Sequence, residues 1–354
     1  MSPDKNNEPI KITLDDLARV ETTAPAAAAV MPGRGPGGAK VYGSVGEAAD
    51  QRVETHEERG SILLQAWFYL GIAGLLGAIL AWAISEPAFI DSGGHRWGNL
   101  WMMPMVVTLQ CVGFAIAESI VERSAKKAVV RGLLALPLGV VLSFVFDFAA
   151  EIMFRIGVSI AAEAGAQTFR NPAFWVARGL AWMVFGAAGG VVYGIVGQSS
   201  KKTLYGALGG VIGAGLGGML FDPIVMISKG GAPSRAVGFA LLGVATGVAI
   251  GLVESALKDR WLYVTAGPLA GKQFILYKAR TLIGSDQKCD IYLFKDPNVL
   301  GEHAIVEIAG TRVQLRALGP AYVSGQPARV QVLQSGNSVQ IGRYSFRYSE
   351  RQRK

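Results

Sequence analysis

Leu282-Ile283-Gly284-Ser285, Cys289-Asp290-Ile291-Tyr292-Leu293, Val299-Leu300-Gly301-Glu302-His303-Ala304 and Ser338-Val339-Gln340-Ile341-Gly342-Arg343-Tyr344-Ser345-Phe346 punctuate residues 261–349. Short β-branched and aromatic runs broken by glycine read as strands joined by turns, so the end of the chain is a soluble, β-rich module. It hangs from a chain of a different kind. Of the 354 residues, 51% are apolar, only 17% are charged and 46 are glycine, and the apolar residues come in long runs. That composition points to a polytopic membrane protein with appended soluble parts.

The four runs, in this order, resemble lines of the forkhead-associated (FHA) domain, a β-sandwich that reads phosphothreonine. They match its I-G-R, D-I-x-L, V-S-R-x-H-A and D-x-I-x-I-G-x-x-x-F lines. The resemblance implies an all-β sandwich over residues 261–350 and a protein-binding role through its loops. In the family an Arg after the conserved Gly and a Ser three residues before the His hold the phosphate, and an Asn in a later turn fixes the peptide. Those positions here are Ser285, Leu300 and Gly319, while His303, which braces the loop, is retained. A phosphate dianion needs charge-assisted donors, and Arg supplies them in a planar fork. The scaffold is kept and the phosphate reader lost. Lys278, Arg280, Lys288 and Arg343 read as cations solvating strand faces. The expected partner-binding residues are Ser285, Leu300, Gly301, His303, Gly319 and Ser324.

Upstream, apolar windows near 62–85, 100–121, 129–154, 173–197, 203–228 and 235–257 are each about the length that crosses a bilayer, ~20 residues. The expected fold is therefore multi-domain: an α-helical bundle of six spans over 59–258, then the sandwich. Residues 1–58 are polar and rich in Ala, Pro and Gly, the composition of a disordered tail. No cleavable signal sequence stands out, so the first span is expected to direct insertion. Net charge is +8. Lys and Arg gather at Arg123, Lys126, Lys127 and Arg131, at Lys201 and Lys202, and at Lys258 and Arg260, whereas the opposite connections are poorer in them. By the positive-inside rule those ends are cytoplasmic, with Trp97, Trp101, Pro172, Phe174 and Trp175 at the outer interface. The expected location is an inner membrane, multi-pass, with both termini in the cytoplasm.

Shifted by 75 residues, Ile120, Val121, Ser124, Lys126, Lys127, Phe146 and Asp147 fall on Ile195, Val196, Ser199, Lys201, Lys202, Phe221 and Asp222. Shifted by 57, Arg178, Trp182, Gly186, Gly190 and Gly194 fall on Arg235, Phe239, Gly243, Gly247 and Gly251. The even-numbered spans are thus expected to be copies of one helix in three two-helix units. Gly186-Gly190-Gly194, Gly209-Gly213-Gly217 and Gly243-Gly247-Gly251 each line one helix face and allow close backbone approach in lipid. In the first unit these positions are Cys111, Ala115 and Ser119. Surplus small-residue faces leave room for oligomerisation. Among intramembrane acids, which are expected to pair or to mark a path, Asp147 and Asp222 are expected to find Arg178 or Arg235. Glu254 is expected to pair at the interface near Lys258, and Glu118 near its own basic end.

No nucleotide loop, nucleophile elbow or metal-binding helix is evident. Cys111 and Cys289 suggest neither a disulfide framework nor a thiolate site, and His56, His95 and His303 lie far apart. No catalytic, metal or cofactor residue is expected. Glu21-Thr22-Thr23 resembles a segment of small soluble FHA regulators, whose phosphorylated threonine is bound by their own FHA domain; the alternative is a simple tether. Together these features imply a membrane scaffold or signalling adaptor recruiting a cytoplasmic protein, without nucleic acid. The rival is a small channel or transporter regulated by the FHA-like part, which requires polar groups converging between the spans.

Overall fold

The computed structural model describes residues 60–90, 97–166, 168, 170–227 and 231–351. The expected tail over 1–58 with Thr22 and Thr23, and also His95, lie outside the described residues. Six helices long and apolar enough to cross a membrane come first: α1 (Ala66–Ser85), α2 (Trp97–Val121), α3 (Ala125–Glu163), α4 (Pro172–Val196), α5 (Ser200–Ile227) and α6 (Ala232–Leu257). The sequence sets local boundaries. Asn171 caps α4 by accepting the Ala173 amide at 3.0 Å, and Pro172 follows at the first helical position, where its missing N–H costs nothing. α3 departs from expectation: it runs on to Glu163, 39 residues. At 1.5 Å per residue it is about 58 Å long, well beyond a hydrocarbon core of about 30 Å. Its last turns carry charge at Arg155, bonded to Glu151 one turn back, and at Glu163.

The helices close into a ring. Each packs on its chain neighbours, α6 packs back on α1, and α2 also touches α4. Phe114 on α2 fills the interior between Gly74 of α1 and Gly189 of α4. Nearer the other end, Trp182 packs on Phe221 and Phe239, with ring centroids 5.0 and 6.4 Å away.

The glycine faces make the tight seams. Gly186 and Gly190 lie on the backbone of Gly210 and Gly206 of α5, and Gly194 lies on Thr203; a Cβ at any of them would run into main chain. On α6, Gly243, Gly247 and Gly251 do the same against Gly74, Leu70 and Trp67 of α1. The donor positions differ by 57 and their partners by 136 (210 to 74, 206 to 70, 203 to 67), so contacts repeat as well as letters. Gly209, Gly213 and Gly217 face the α6 backbone at Ile250, Thr246 and Leu242. In the first unit the Cys111 Cβ lies 3.2 Å from where a Cβ would stand on Gly139 of α3. The repeating contact therefore joins an even helix to the odd helix that follows it around the ring. The turns repeat too: Arg123 and Gln198, 75 apart, both have φ 54.

Ion pairs obey the same symmetry. Arg178 bonds Asp222 at 2.8 Å, and 57 and 136 residues away Arg235 bonds Glu86. Arg235 is thus committed to Glu86 and is not available to either aspartate. For Asp147 the counterpart of Arg178 is Met103, and among the described residues Asp147 forms no ion pair. Glu254 also departs from expectation. It accepts from Tyr193 at 3.2 Å and Tyr277 at 2.8 Å, while Lys258 reaches Gln273 and the face of Trp261.

Only Lys258 and Asp259 separate α6 from the sandwich. Its strands are β1 (Arg260–Ala266), β2 (Gln273–Ile275), β3 (Arg280–Gly284), β4 (Ile291–Tyr292), β5 (Ala304–Ala309), β6 (Arg312–Ala317), β7 (Ala321–Val323), β8 (Gln326–Pro327), β9 (Val330–Val332), β10 (Ser338–Ile341) and β11 (Tyr344–Glu350). One sheet has the order β2-β1-β11-β10-β7-β8 and the other β4-β3-β5-β6-β9. Alternate residues point inward, as the strand period requires: Leu262 and Val264, Tyr344, Phe346 and Tyr348, and Ala304 and Val306 share one core with Ile283 and Leu315.

Candidate recognition face

Three connections meet at His303, which is fully buried. Its Nδ1 accepts the Leu300 amide at 3.0 Å, so that nitrogen carries no proton and Nε2 donates to the Pro320 carbonyl at 2.9 Å. Burial pulls its pKa below the ordinary histidine value, which suits this neutral form. Its carbonyl accepts the amides of Leu318 and Gly319. Gly319 lies flat on the imidazole, where an added Cβ would be 2.7 Å from Cε1. The Ser285 and Asp286 amides donate to the Leu300 and Gly301 carbonyls at 2.9 and 3.0 Å. One buried ring thus sets the β3–β4, β4–β5 and β6–β7 connections relative to each other.

Five of the expected residues, Ser285, Leu300, Gly301, His303 and Gly319, are brought together here. Ser324 is not among them: it lies at the other end of β7, in a left-handed turn with φ 47, where its Oγ accepts from Asn337. The exposed rim is apolar and acidic apart from Lys288, which is exposed two residues after Asp286 and whose amide donates to the Asp286 carboxylate at 3.0 Å. Leu300 and Leu318 are 49% and 47% exposed, and Asp286 and Glu302 are exposed beside them. Ser285 Oγ donates to the Val299 carbonyl at 2.8 Å, so its proton is already committed. Of the expected stray cations, Lys278 is held by Asp290 at 2.8 Å, and Arg343 lies on the Tyr344 ring and donates to the Phe294 carbonyl. Arg280 lies 4.0 Å from Glu307.

The opposite side of the same connections is held by the helices. Lys127, at the start of α3, donates to the Cys289 carbonyl at 2.6 Å, and Arg123 covers the Phe294 ring. Lys272, in the β1–β2 turn, meets Glu122 at 2.8 Å with both side chains almost fully excluded from solvent. Gln65 donates to the Gly271 carbonyl, and Tyr277 donates to Glu254. Burial first, and the Glu254 carboxylate second, keep the Tyr277 hydroxyl protonated well above the usual tyrosine range, which fixes it as a donor. Around Glu254, Lys202 lies over the Tyr193 ring and bonds Glu118, which also takes Arg131. These junction contacts escaped the sequence reading; the one visible signal was the cluster of cations at the helix ends.

Residues 263–352 match the family model described as "Inner membrane component of T3SS, cytoplasmic domain". The oxoglutarate dehydrogenase inhibitor of Corynebacterium efficiens is 36% identical over 86 residues, 23% of this chain and 60% of that protein. The terminal sandwich is an FHA-like domain. The glycogen accumulation regulator GarA of Mycolicibacterium smegmatis is 35% identical over 86 residues, 23% of this chain and 54% of its own length. The chain thus spans 60% and 54% of these two curated relatives, and the likeness covers the FHA-like domain alone. The solved cytoplasmic domain of the T3SS sorting platform protein PscD from P. aeruginosa is 22% identical, with a TM-score of 0.24, covering 27% of this chain and 83% of that one.

Proposed function

We propose that the protein is an inner-membrane scaffold whose FHA-like domain recruits a cytoplasmic protein without reading phosphate. The observation that carries this is the rim around His303, where Leu300 and Leu318 are exposed, Asp286 and Glu302 flank them and the Ser285 hydroxyl is spent on the main chain. A phosphate placed there would meet two carboxylates and, at Lys288, a single exposed ammonium in place of an arginine fork, and the like-charge juxtaposition with Asp286 and Glu302 disfavours it. The basic helix ends support a cytoplasmic placement of the FHA-like domain. The filled interior of the ring supports an anchor over a pore, because Phe114 and the Trp182 cluster occupy the space a water path would need.

The test is capture from lysate by the full-length protein in nanodiscs, before and after phosphatase treatment. Retention of the same partner after phosphatase, with its loss in Leu300→Glu/Leu318→Glu, is the expected result. Loss of the partner on dephosphorylation would sink the reading.

A further inference from the structure

We propose that the cleft between the FHA-like domain and the basic end of α5 binds the phosphate headgroup of an anionic phospholipid. The cleft encloses about 600 Å³. Lys201 reaches it from α5, Lys278 from the β2–β3 connection, and Arg260 and Arg351 from the adjoining ends of β1 and β11. Against these four cations stand two carboxylates of the lining, Asp259 and Glu350, and Asp290 bonded to Lys278 just outside it, leaving a net charge of +1 (four minus three). Asp259 holds Lys201 at 2.9 Å and Glu350 lies 3.7 Å from Arg260, so the acids orient two cations without neutralising the set. Asp290, outside the lining, steadies Lys278. Lys201 and Lys278 keep 54% and 36% of their side chains open to a ligand.

Lipid, and not a soluble phosphate, is the source that α5 favours. Starting one turn beyond Lys201, Leu204, Leu208, Ile212 and Leu216 are all exposed and four residues apart, an apolar track that winds slowly around α5 into the bilayer. A headgroup in the cleft lays an acyl chain along this track. Basic pockets on the cytoplasmic side of transmembrane helices bind anionic headgroups. Because the cations come from both the bundle and the sandwich, the bound headgroup ties one to the other.

Native mass spectrometry of the full-length protein with phosphatidylglycerol, phosphatidylcholine or glycerol phosphate tests this. Phosphatidylglycerol is retained about tenfold over phosphatidylcholine. The preference disappears in Lys201→Gln/Lys278→Gln and returns in Lys201→Arg/Lys278→Arg; both positions are open enough that folding is unaffected. Equal retention of the two lipids, or a preference unchanged by the glutamines, overturns the site. Glycerol phosphate bound as tightly as phosphatidylglycerol would assign the cleft to a soluble anion and overturn the lipid source.

Discussion

His303 does two jobs with one neutral ring: it accepts the Leu300 amide through Nδ1 and donates to the Pro320 carbonyl through Nε2. Protonation would put a hydrogen on the accepting nitrogen and break the first of these bonds. Since burial holds the folded pKa below the ordinary value, the folded state binds its proton less readily than the unfolded chain, whose histidine titrates near about 6.5. The stability this ring contributes is therefore complete above that pH and is lost as pH falls through it toward the lower folded value. Thermal unfolding of the full protein between about pH 7 and pH 5 is expected to show a falling Tm for the sandwich transition. His303→Gln, which cannot titrate, should start lower and flatten that slope; an equal slope in both would remove His303 as the cause.

At the scale of elements, the seams are where sequence was most legible. Glycines spaced by four mark a smooth helix face whatever it packs on, so Gly186, Gly190 and Gly194 were readable as an interface from spacing alone. Which helix lies opposite was not readable, because spacing describes one surface and contact requires two. Arg178–Asp222 and Arg235–Glu86 needed that second surface, and so an arginine expected for an aspartate turned out to serve Glu86. The long end of α3 was missed because its added turns carry charges that leave the apolar window. Gly190→Val tests the seam: β-branched carbons would enter the Gly206 main chain, and rigid backbone cannot yield. Overpacking of this kind costs about 1–3 kcal/mol or more. Detergent-solubilised protein should lose thermal stability accordingly, whereas Leu208→Val, on the exposed face of α5, should leave it nearly unchanged. Equal effects would mean that the α4–α5 seam does not bear on stability.

For the whole molecule, the terminal runs in the sequence revealed a sandwich but said nothing of its seat. Only two residues connect it to α6, and its turns are gripped from above by α1, α2 and α3 through Gln65, Glu122 and Lys127. The Lys272–Glu122 pair joins positions 150 apart in sequence and both are hidden from solvent, so no local pattern announces it. Removing Lys272 leaves buried Glu122 only its longer 3.5 Å pair with Lys127, which costs less than the roughly 3–5 kcal/mol of a wholly unpaired buried charge, whereas removing both Lys272 and Glu122 leaves an apolar contact of similar volume. The β3–β4 connection then becomes the reporter: at one end it carries Ser285 and Asp286 of the recognition rim, and at the other it is clamped by Lys127. In Lys272→Met, hydrogen exchange across residues 285–290 and the β1–β2 turn is expected to rise while the β5–β6 ladder stays protected, and Glu122→Leu added to it should restore the slow exchange. If the single variant exchanges like the wild type, the sandwich is a tethered passenger, and the orientation of its recognition face is set by the short linker alone.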